Sequence, residues 1–303
     1  MFRTIPKPTH GSDEWLRVRW QDEEGKARIS ASNASCVHNE NPYKTKAAFA
    51  VELMTPPSAT ETTPDMERGN RLEPVLINWY NDMTNSEVVT PDVMYVVGRL
   101  IATLDGVDKD GIPVEVKTTR KKWTGQLPRH WYWQGVQQAI CKDTNKVIWV
   151  VFDSDLNMHF HEQIVTSDEK AIHINACDEF LGHIDDGAIP PDAAVDYDTA
   201  ATLYPTAIYP VVELPLEAQL IIDDLARTRR LMSELEANEK KLKGELGMLL
   251  GDCEAGTLNG DVVVEWKDVS RTTFDNKGFK EAHPALASKF MKTQTYRMMK
   301  FPK

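Results

Sequence analysis

Two carboxylates and an ammonium, Asp105, Glu115 and Lys117, fall within the stretch LIATLDGVDKDGIPVEVKTT at 100–119. Carboxylates on neighbouring strands make a hard-oxygen site suited to Mg2+ or Mn2+. Such an ion polarises a phosphodiester, lowers the pKa of a bound water and stabilises the leaving oxygen. An ammonium beside them would orient that water or balance developing charge. Asp110-Gly111, between two segments rich in Val, Ile, Leu and Thr, is a hairpin signal, so two adjacent strands are expected. Alternation then puts Glu115 and Lys117 on one face and turns Val114 and Val116 into a core, while Thr103 and Asp105 oppose Ala102 and Leu104. An isolated match of this kind is better read as a solvated hairpin face of alternating charge. Its surroundings change that reading.

The elements that must position these groups can be read in outline. Short helices are expected at 15–19 and 31–37, and a third at 46–54 after the turn Asn41-Pro-Tyr-Lys-Thr45. Residues 55–64, rich in Thr, Pro and Ser, read as an exposed connection. Leu72, Val75, Leu76, Trp79, Tyr80 and Met83 recur at helical spacing and predict one apolar stripe, with Glu73 beside it and Pro74 near the first turn or at a kink. A helix is expected between Arg129 and Cys141, where Gln134, Gln137 and Gln138 form an i, i+3, i+4 set able to donate and accept. Residues 146–153 and 158–165 read as strands, the first nearly all apolar and therefore central. A helix at 167–184 follows. The expected fold class is α/β (α+β), a mixed central sheet flanked by helices.

The 303-residue chain has room for one ordinary domain and a smaller module, and 41% of it is hydrophobic. The domain expected at 1–187 is followed by a proline-rich linker at 188–215. A C-terminal module at 216–303 should comprise a long charged helix to Leu250, a hairpin at Leu258-Asn259-Gly260-Asp261, and a basic tail alternating between helix and strand. No apolar run spans a bilayer, and the first residues lack the apolar stretch of a signal peptide, so a cytoplasmic protein is expected. Cys36, Cys141, Cys177 and Cys253 are dispersed and read as reduced, mostly buried thiols. No iron-sulfur cluster is expected from that spacing.

The formal charge of -11 weighs against nucleic-acid binding until its distribution is read. Between Val116 and Lys142 stand Lys117, Arg120, Lys121, Lys122, Arg129 and Lys142 with no acidic residue, interleaved with Trp123, Trp131, Tyr132 and Trp133. From Ser270 to Lys303 there are eight basic residues against two acidic ones. Basic zones in an acidic chain make a patterned field that admits a polyanion at chosen places.

Five short motifs in a fixed order extend the pattern. They are Trp15-Leu-Arg-Val-Arg19 with Arg28-Ile-Ser-Ala-Ser32, Asn41-Pro-Tyr-Lys-Thr45, Arg68-Gly-Asn-Arg-Leu-Glu-Pro74, the hairpin, and Trp131-Tyr-Trp-Gln-Gly-Val-Gln-Gln138. Over residues 11 to 165 the chain resembles the phage-type recombination exonucleases of the YqaJ and lambda exonuclease group, within the PD-(D/E)XK nuclease superfamily. Leu104 departs from the superfamily's proline, and residues 21–27 look like an acidic insertion.

The resemblance implies a restriction-endonuclease-like core and two-metal hydrolysis of DNA, with Mg2+ as cofactor and Mn2+ able to replace it. It implies Glu73, Asp105, Glu115 and the carbonyl of Val116 as metal ligands, Lys117 as the residue that orients or deprotonates water, and Gln134 beside them. Arg19 and Ser32 match positions that grip a 5' phosphate. Arg120, Lys121, Lys122 and Trp123 are expected on the DNA. The implied activity is 5'-3' digestion of linear duplex ends to leave 3' overhangs. Implied partners are a single-strand annealing protein and further copies of the chain, as a trimer. Two alternatives remain at this stage: an endonuclease or nickase on the same core, and a noncatalytic DNA- or partner-binding module.

Overall fold

A computed structural model describes residues 2–55, 63–293 and 296–301. Residues 56–62 of the connection expected at 55–64 lie outside the described residues. The chain divides into two compact units, Met1–Tyr204 and Pro205–Lys303.

The first unit begins with β1 (Phe2–Pro6), α1 (Asp13–Trp20), β2 (Ile29–Ser30), α2 (Ala34–Val37, after a 3-10 turn at Ala31–Asn33) and α3 (Lys46–Met54). It continues with α4 (Pro64–Thr84), β3 (Val93–Val97), β4 (Leu100–Ala102), β5 (Gly106–Val107), β6 (Pro113–Thr118) and α5 (Arg129–Lys142). β7 (Lys146–Phe152), β8 (Met158–Ile164), α6 (Ser167–Asp185) and α7 (Tyr197–Leu203) complete it. Local chemistry sets the helix starts. Side chains of Ser12, Thr45 and Thr63 accept from the third backbone N–H beyond them, and Thr166 with Glu169 forms a reciprocal capping box.

The strands form two four-stranded sheets, β1-β3-β4-β2 and β5-β6-β7-β8. The second is mixed: β5 and β6 are antiparallel, β6 and β7 parallel, and β7 and β8 antiparallel. This corrects the expectation of a single sheet and of one strand running through residues 100–105. The chain leaves the first sheet after Ala102 and enters the second at Gly106, so Asp105 sits at the crossing. A Cβ on Gly106 would lie 2.3 Å from Val88 Cγ1, so only glycine lets the chain turn there.

The second sheet is covered on both faces. Leu76, Ile77 and Tyr80 of α4 pack with Val114, Val116 and Val150 on one side. On the other, α5 buries Trp133, Val136, Ala139 and Ile140 in the main core with Trp149. Gly135 permits this close approach, because a Cβ there would meet Gln163 Oε1 at 2.1 Å. The α4 stripe differs from expectation. The helix begins at Pro64, leaves Pro74 in its interior, and buries Leu76, Ile77 and Tyr80 while Val75 and Met83 are exposed. Residues 188–204, read as linker, in part fold back onto α3: Lys46 pairs with Asp192 at 2.6 Å, and the hydroxyl of Thr45 bonds Asp196.

The second unit holds α8 (Ala218–Leu250), β9 (Ala255–Leu258), β10 (Asp261–Glu265), α9 (Asn276–Ala282) and α10 (Pro284–Phe290). Asn259 and Gly260 both take positive φ, 54° and 94°, as a two-residue hairpin turn requires. Beyond β10 the described residues contain helices and no further strand, so the expected basic strand is not found there. No helix among the described residues is long and apolar enough to cross a membrane.

Candidate active site

The site is built where β5, β6, α4 and α5 meet. Val114 and Val116 face α4, so alternation turns Glu115 and Lys117 toward α5. Glu115 is nevertheless only 3% exposed, because α5 covers that face as well. The expectation of a charged surface is corrected: both faces of β6 are buried, and Glu115 survives burial because its oxygens are all engaged.

Oε1 of Glu115 accepts from the Lys117 ammonium at 2.7 Å and from the amide of Gln134. Oε2 accepts from the amide of Gln138. Gln134 and Gln138 are one helical turn apart, which lets α5 reach both oxygens of one carboxylate. Sequence reasoning singles out Gln134 and passes over Gln138, whose i, i+4 spacing from Gln134 is the signal for its part. Gln137 points elsewhere. Its amide donates to the carbonyls of Ile29 (2.7 Å) and Ile101 (3.0 Å), and so ties α5 to β2 and β4.

Asp105 is held from β6. The N–H of Val116 donates to Asp105 Oδ2 at 2.9 Å. The N–H and C=O of a strand residue leave by the same edge, so the Val116 carbonyl also opens on the Asp105 side. Burial pushes the Asp105 carboxyl well above the usual carboxylate range, with the charges of Glu115 and Glu73 adding to the rise. Glu73, on α4, is raised by burial and then by Glu115. For Lys117, burial opposes the ammonium, but Glu115 and Asp105 outweigh it and the pKa rises. Three carboxylates thus crowd one ammonium.

A divalent cation would relieve that crowding, and an all-oxygen donor set suits Mg2+ or Mn2+. In the present arrangement the side chains close on one another instead. Among the described residues no group of three or more His, Cys, Asp or Glu side chains is gathered as a metal cage.

The other predicted residues make their contacts outside this cluster. Arg19 lies 4.1 Å over the ring of Trp15 and donates to Ser32 Oγ at 2.7 Å. Loss of water lowers its pKa to about 10. The acidic segment 21–27 supports this corner, since Arg28 donates to the carbonyls of Val18 and Gln21 and to Glu23. In the basic loop, Arg120 pairs with Asp65 at 2.6 Å and Lys122 with Asp155 at 3.0 Å. Trp123 stacks on Trp131, which stacks in turn on buried Trp149, so these rings anchor the loop to the core.

Sequence reasoning missed a polar chain inside the core. His173 Nε2 lies 3.0 Å from Gln137 Oε1, and His173 Nδ1 lies 2.8 Å from His38 Nε2. Because Gln137 Oε1 only accepts, both histidines carry the proton on Nε2. His38 stacks on Trp133 with ring centroids 3.5 Å apart, and Trp133 donates to Glu40, which also pairs with Arg129. No sequence spacing links residues so far apart.

Residues 14–145 match the model of the YqaJ-like viral recombinase domain. This span includes Glu73, Asp105, Glu115, Lys117, Gln134 and Gln138. The resemblance to the YqaJ and lambda exonuclease group therefore holds. The crystal structure of LHK-Exo, an alkaline exonuclease from Laribacter hongkongensis, in complex with dAMP is 18% identical and superposes with a TM-score of 0.50, covering 58% of this chain and 94% of that one. A second LHK-Exo structure gives 0.49 at the same identity and coverage. A phage-related exonuclease from Haemophilus somnus 129PT is 10% identical, with a TM-score of 0.41 over 54% of this chain and 96% of that one. No curated protein matches the chain. The likeness to LHK-Exo at a TM-score of 0.50 is one of fold, and the expected mixed α/β class, with sheet strands flanked by helices, stands.

Proposed function

We propose that the protein is a metal-dependent exonuclease that digests linear double-stranded DNA from its 5' ends and leaves 3' single-stranded overhangs for phage-type recombination. The observation that carries this reading is that the Val116 N–H holds Asp105, and Lys117, Gln134 and Gln138 hold Glu115, within the span that matches the YqaJ-like viral recombinase domain. LHK-Exo, which shares the fold, is itself an alkaline exonuclease.

Asp105, Glu115, Glu73 and the Val116 carbonyl would hold two Mg2+ ions, with Mn2+ as a substitute. Bound there, the ions would supply charge stabilisation to the phosphodiester and acidify water. The chain's own residues do the rest. Lys117, as an ammonium fixed by its bond to Glu115, orients the attacking water. Gln134 and Gln138 prevent the Glu115 carboxylate from rotating, so its oxygens are preorganised. The Val116 N–H does the same for Asp105. Arg19 and Ser32 receive a terminal 5' phosphate, to which charge-assisted bonds are stronger than to an internal linkage. A duplex end, a single-strand annealing protein and a trimer of this chain in the cytoplasm complete the reading.

The test is digestion, with Mg2+, of linear duplexes labelled at either end, with and without a 5' phosphate, beside a closed circle. Progressive loss from phosphorylated 5' ends with the circle intact is the expected result. Cutting of the circle would move the assignment to an endonuclease, and no cleavage with Mg2+ or Mn2+ would move it to a binding module.

A further inference from the structure

Among the described residues of the first unit Tyr43 carries the most exposed aromatic ring, at 86%, and yet its loop is held on both sides. The side-chain oxygen of Asn41 accepts from the N–H groups of Tyr43 (2.9 Å) and Lys44 (3.0 Å), and its amide donates to Ser35 Oγ at 3.0 Å. Two residues after Tyr43, Thr45 caps α3. An Asx turn joined to a helix cap fixes the backbone, so the ring is displayed from a rigid mount.

What Tyr43 touches gives this display its meaning. Its ring meets His130 edge to face, with centroids 5.7 Å apart at 89°. His130 lies in the first turn of α5, four residues before Gln134, and therefore one helical turn along the same face. Gln134 bonds Glu115, which bonds Lys117. The Tyr43–His130 pair thus stands one turn of α5 from the carboxylate cluster. His130 is half-buried and its pKa is lowered by burial and then by the Lys117 charge, in agreement with that position. Lys44 does not compete for the same ligand, because it is paired with Glu52.

We propose that the exposed ring of Tyr43, in contact with His130, is a stacking platform for the nucleobase of the terminal nucleotide whose phosphodiester is cut. This rests on the nuclease reading of the carboxylate site. A base stacked there holds the end of the strand away from its complement while the adjacent linkage lies at Lys117. Stacking is indifferent to base identity, as digestion of arbitrary sequence requires.

The test crosses the protein with the substrate. Wild type, Tyr43→Ala, Tyr43→Leu and Tyr43→Trp are each given duplexes whose terminal nucleotide either carries its base or is abasic. Digestion with Mg2+ and binding by fluorescence anisotropy in EDTA are measured in parallel. On normal ends Tyr43→Ala and Tyr43→Leu should lose on the order of 10- to 100-fold in kcat/KM and bind more weakly, and Tyr43→Trp should retain both. On abasic ends all four proteins should coincide. Equal rates on normal ends, or the same loss on abasic ends, would overturn the platform. If wild type digests nothing, the nuclease reading fails. The platform is then judged by anisotropy alone: loss in Tyr43→Ala on normal but not abasic ends supports it, and no difference overturns it.

Discussion

The N–H of Val116 donates to Oδ2 of Asp105 at 2.9 Å, at the point where the antiparallel pairing of β5 and β6 gives out after Gly106 and Val114. The carboxylate takes the place of the next strand residue as the acceptor. The donor is backbone but the acceptor is the Asp105 side chain, so only a substitution that keeps an acceptor oxygen leaves the end of β6 held as it is. Asp105→Asn keeps an acceptor oxygen for Val116 and removes one negative charge. It should abolish cleavage while duplex binding, followed by electrophoretic mobility shift without divalent cation, stays within about threefold. Lys117→Ala should do the same to cleavage. If cleavage survives both substitutions, the site assignment is wrong.

Gln138 offers a second test. Replacing it with Leu strips Glu115 Oε2 of its donor and leaves a buried carboxylate under-satisfied, at a cost of about 1–3 kcal/mol. Cleavage should fall and the Mg2+ concentration needed for half-maximal rate should change, because the orientation of a ligand is altered and not its identity. Gln138→Glu should be worse than Leu, since it adds a carboxyl group against Glu115. Equal activity in all three proteins would show that the bond seen here has no part in cleavage.

Gln137 is expected to separate stability from chemistry. It serves the carbonyls of Ile29 and Ile101 and receives His173, all inside the core. Gln137→Leu is close in volume but orphans these buried groups, so the first unit should lose about 3 kcal/mol or more in urea unfolding. At temperatures where the variant is still folded, cleavage should be nearly normal. A stable but inactive Gln137→Leu would place this glutamine in the reaction.

These side chains show how far the sequence carries. The hairpin turn after Asp108 was legible because Asp110-Gly111 is a local signal, and Gly111 does take a positive φ of 80°. The bounds of α3 were legible because Thr45 caps it. The break at residues 103–105 was not, since it depends on Val88 crowding Gly106 from a distant part of the chain. The start of α4 at Pro64 was hidden by Pro74, which is tolerated on an exposed face. Glu115 looked like a surface charge until α5 was seen to cover it, and that cover depends on a tertiary contact at Gly135.

Arg19 carries the end-recognition part of the proposed function. Its guanidinium already donates to Ser32 and lies over Trp15, so a phosphate arriving there meets a preoriented donor. Arg19→Ala should slow digestion of 5'-phosphorylated ends to the rate seen on 5'-hydroxyl ends, while Arg19→Lys recovers only part of the difference because an ammonium lacks the fork geometry. A phosphate preference that persists in Arg19→Ala would locate end recognition elsewhere.

The histidine chain predicts the acid limit of the fold. Burial lowers His38 to about 4 and His173 to about 3, against an ordinary value near 6.5. Well above pH 6.5 both are neutral whether the chain is folded or not, and neither makes stability depend on pH. As pH falls below 6.5 the unfolded chain gains two protons that the folded chain refuses, so stability is lost progressively down to about pH 4 for His38 and pH 3 for His173. The neighbouring charges that bear on His38 are Glu40, which opposes the shift, and Lys46 and Arg129, which reinforce it. His173→Gln can keep a bond to Gln137 but cannot be protonated. It should be less stable than wild type at pH 7, and its stability should fall less steeply between pH 6.5 and 4 in urea titrations at stepped pH. Parallel slopes for the two proteins would show that His173 takes up no proton on unfolding and that its buried neutral state is misassigned.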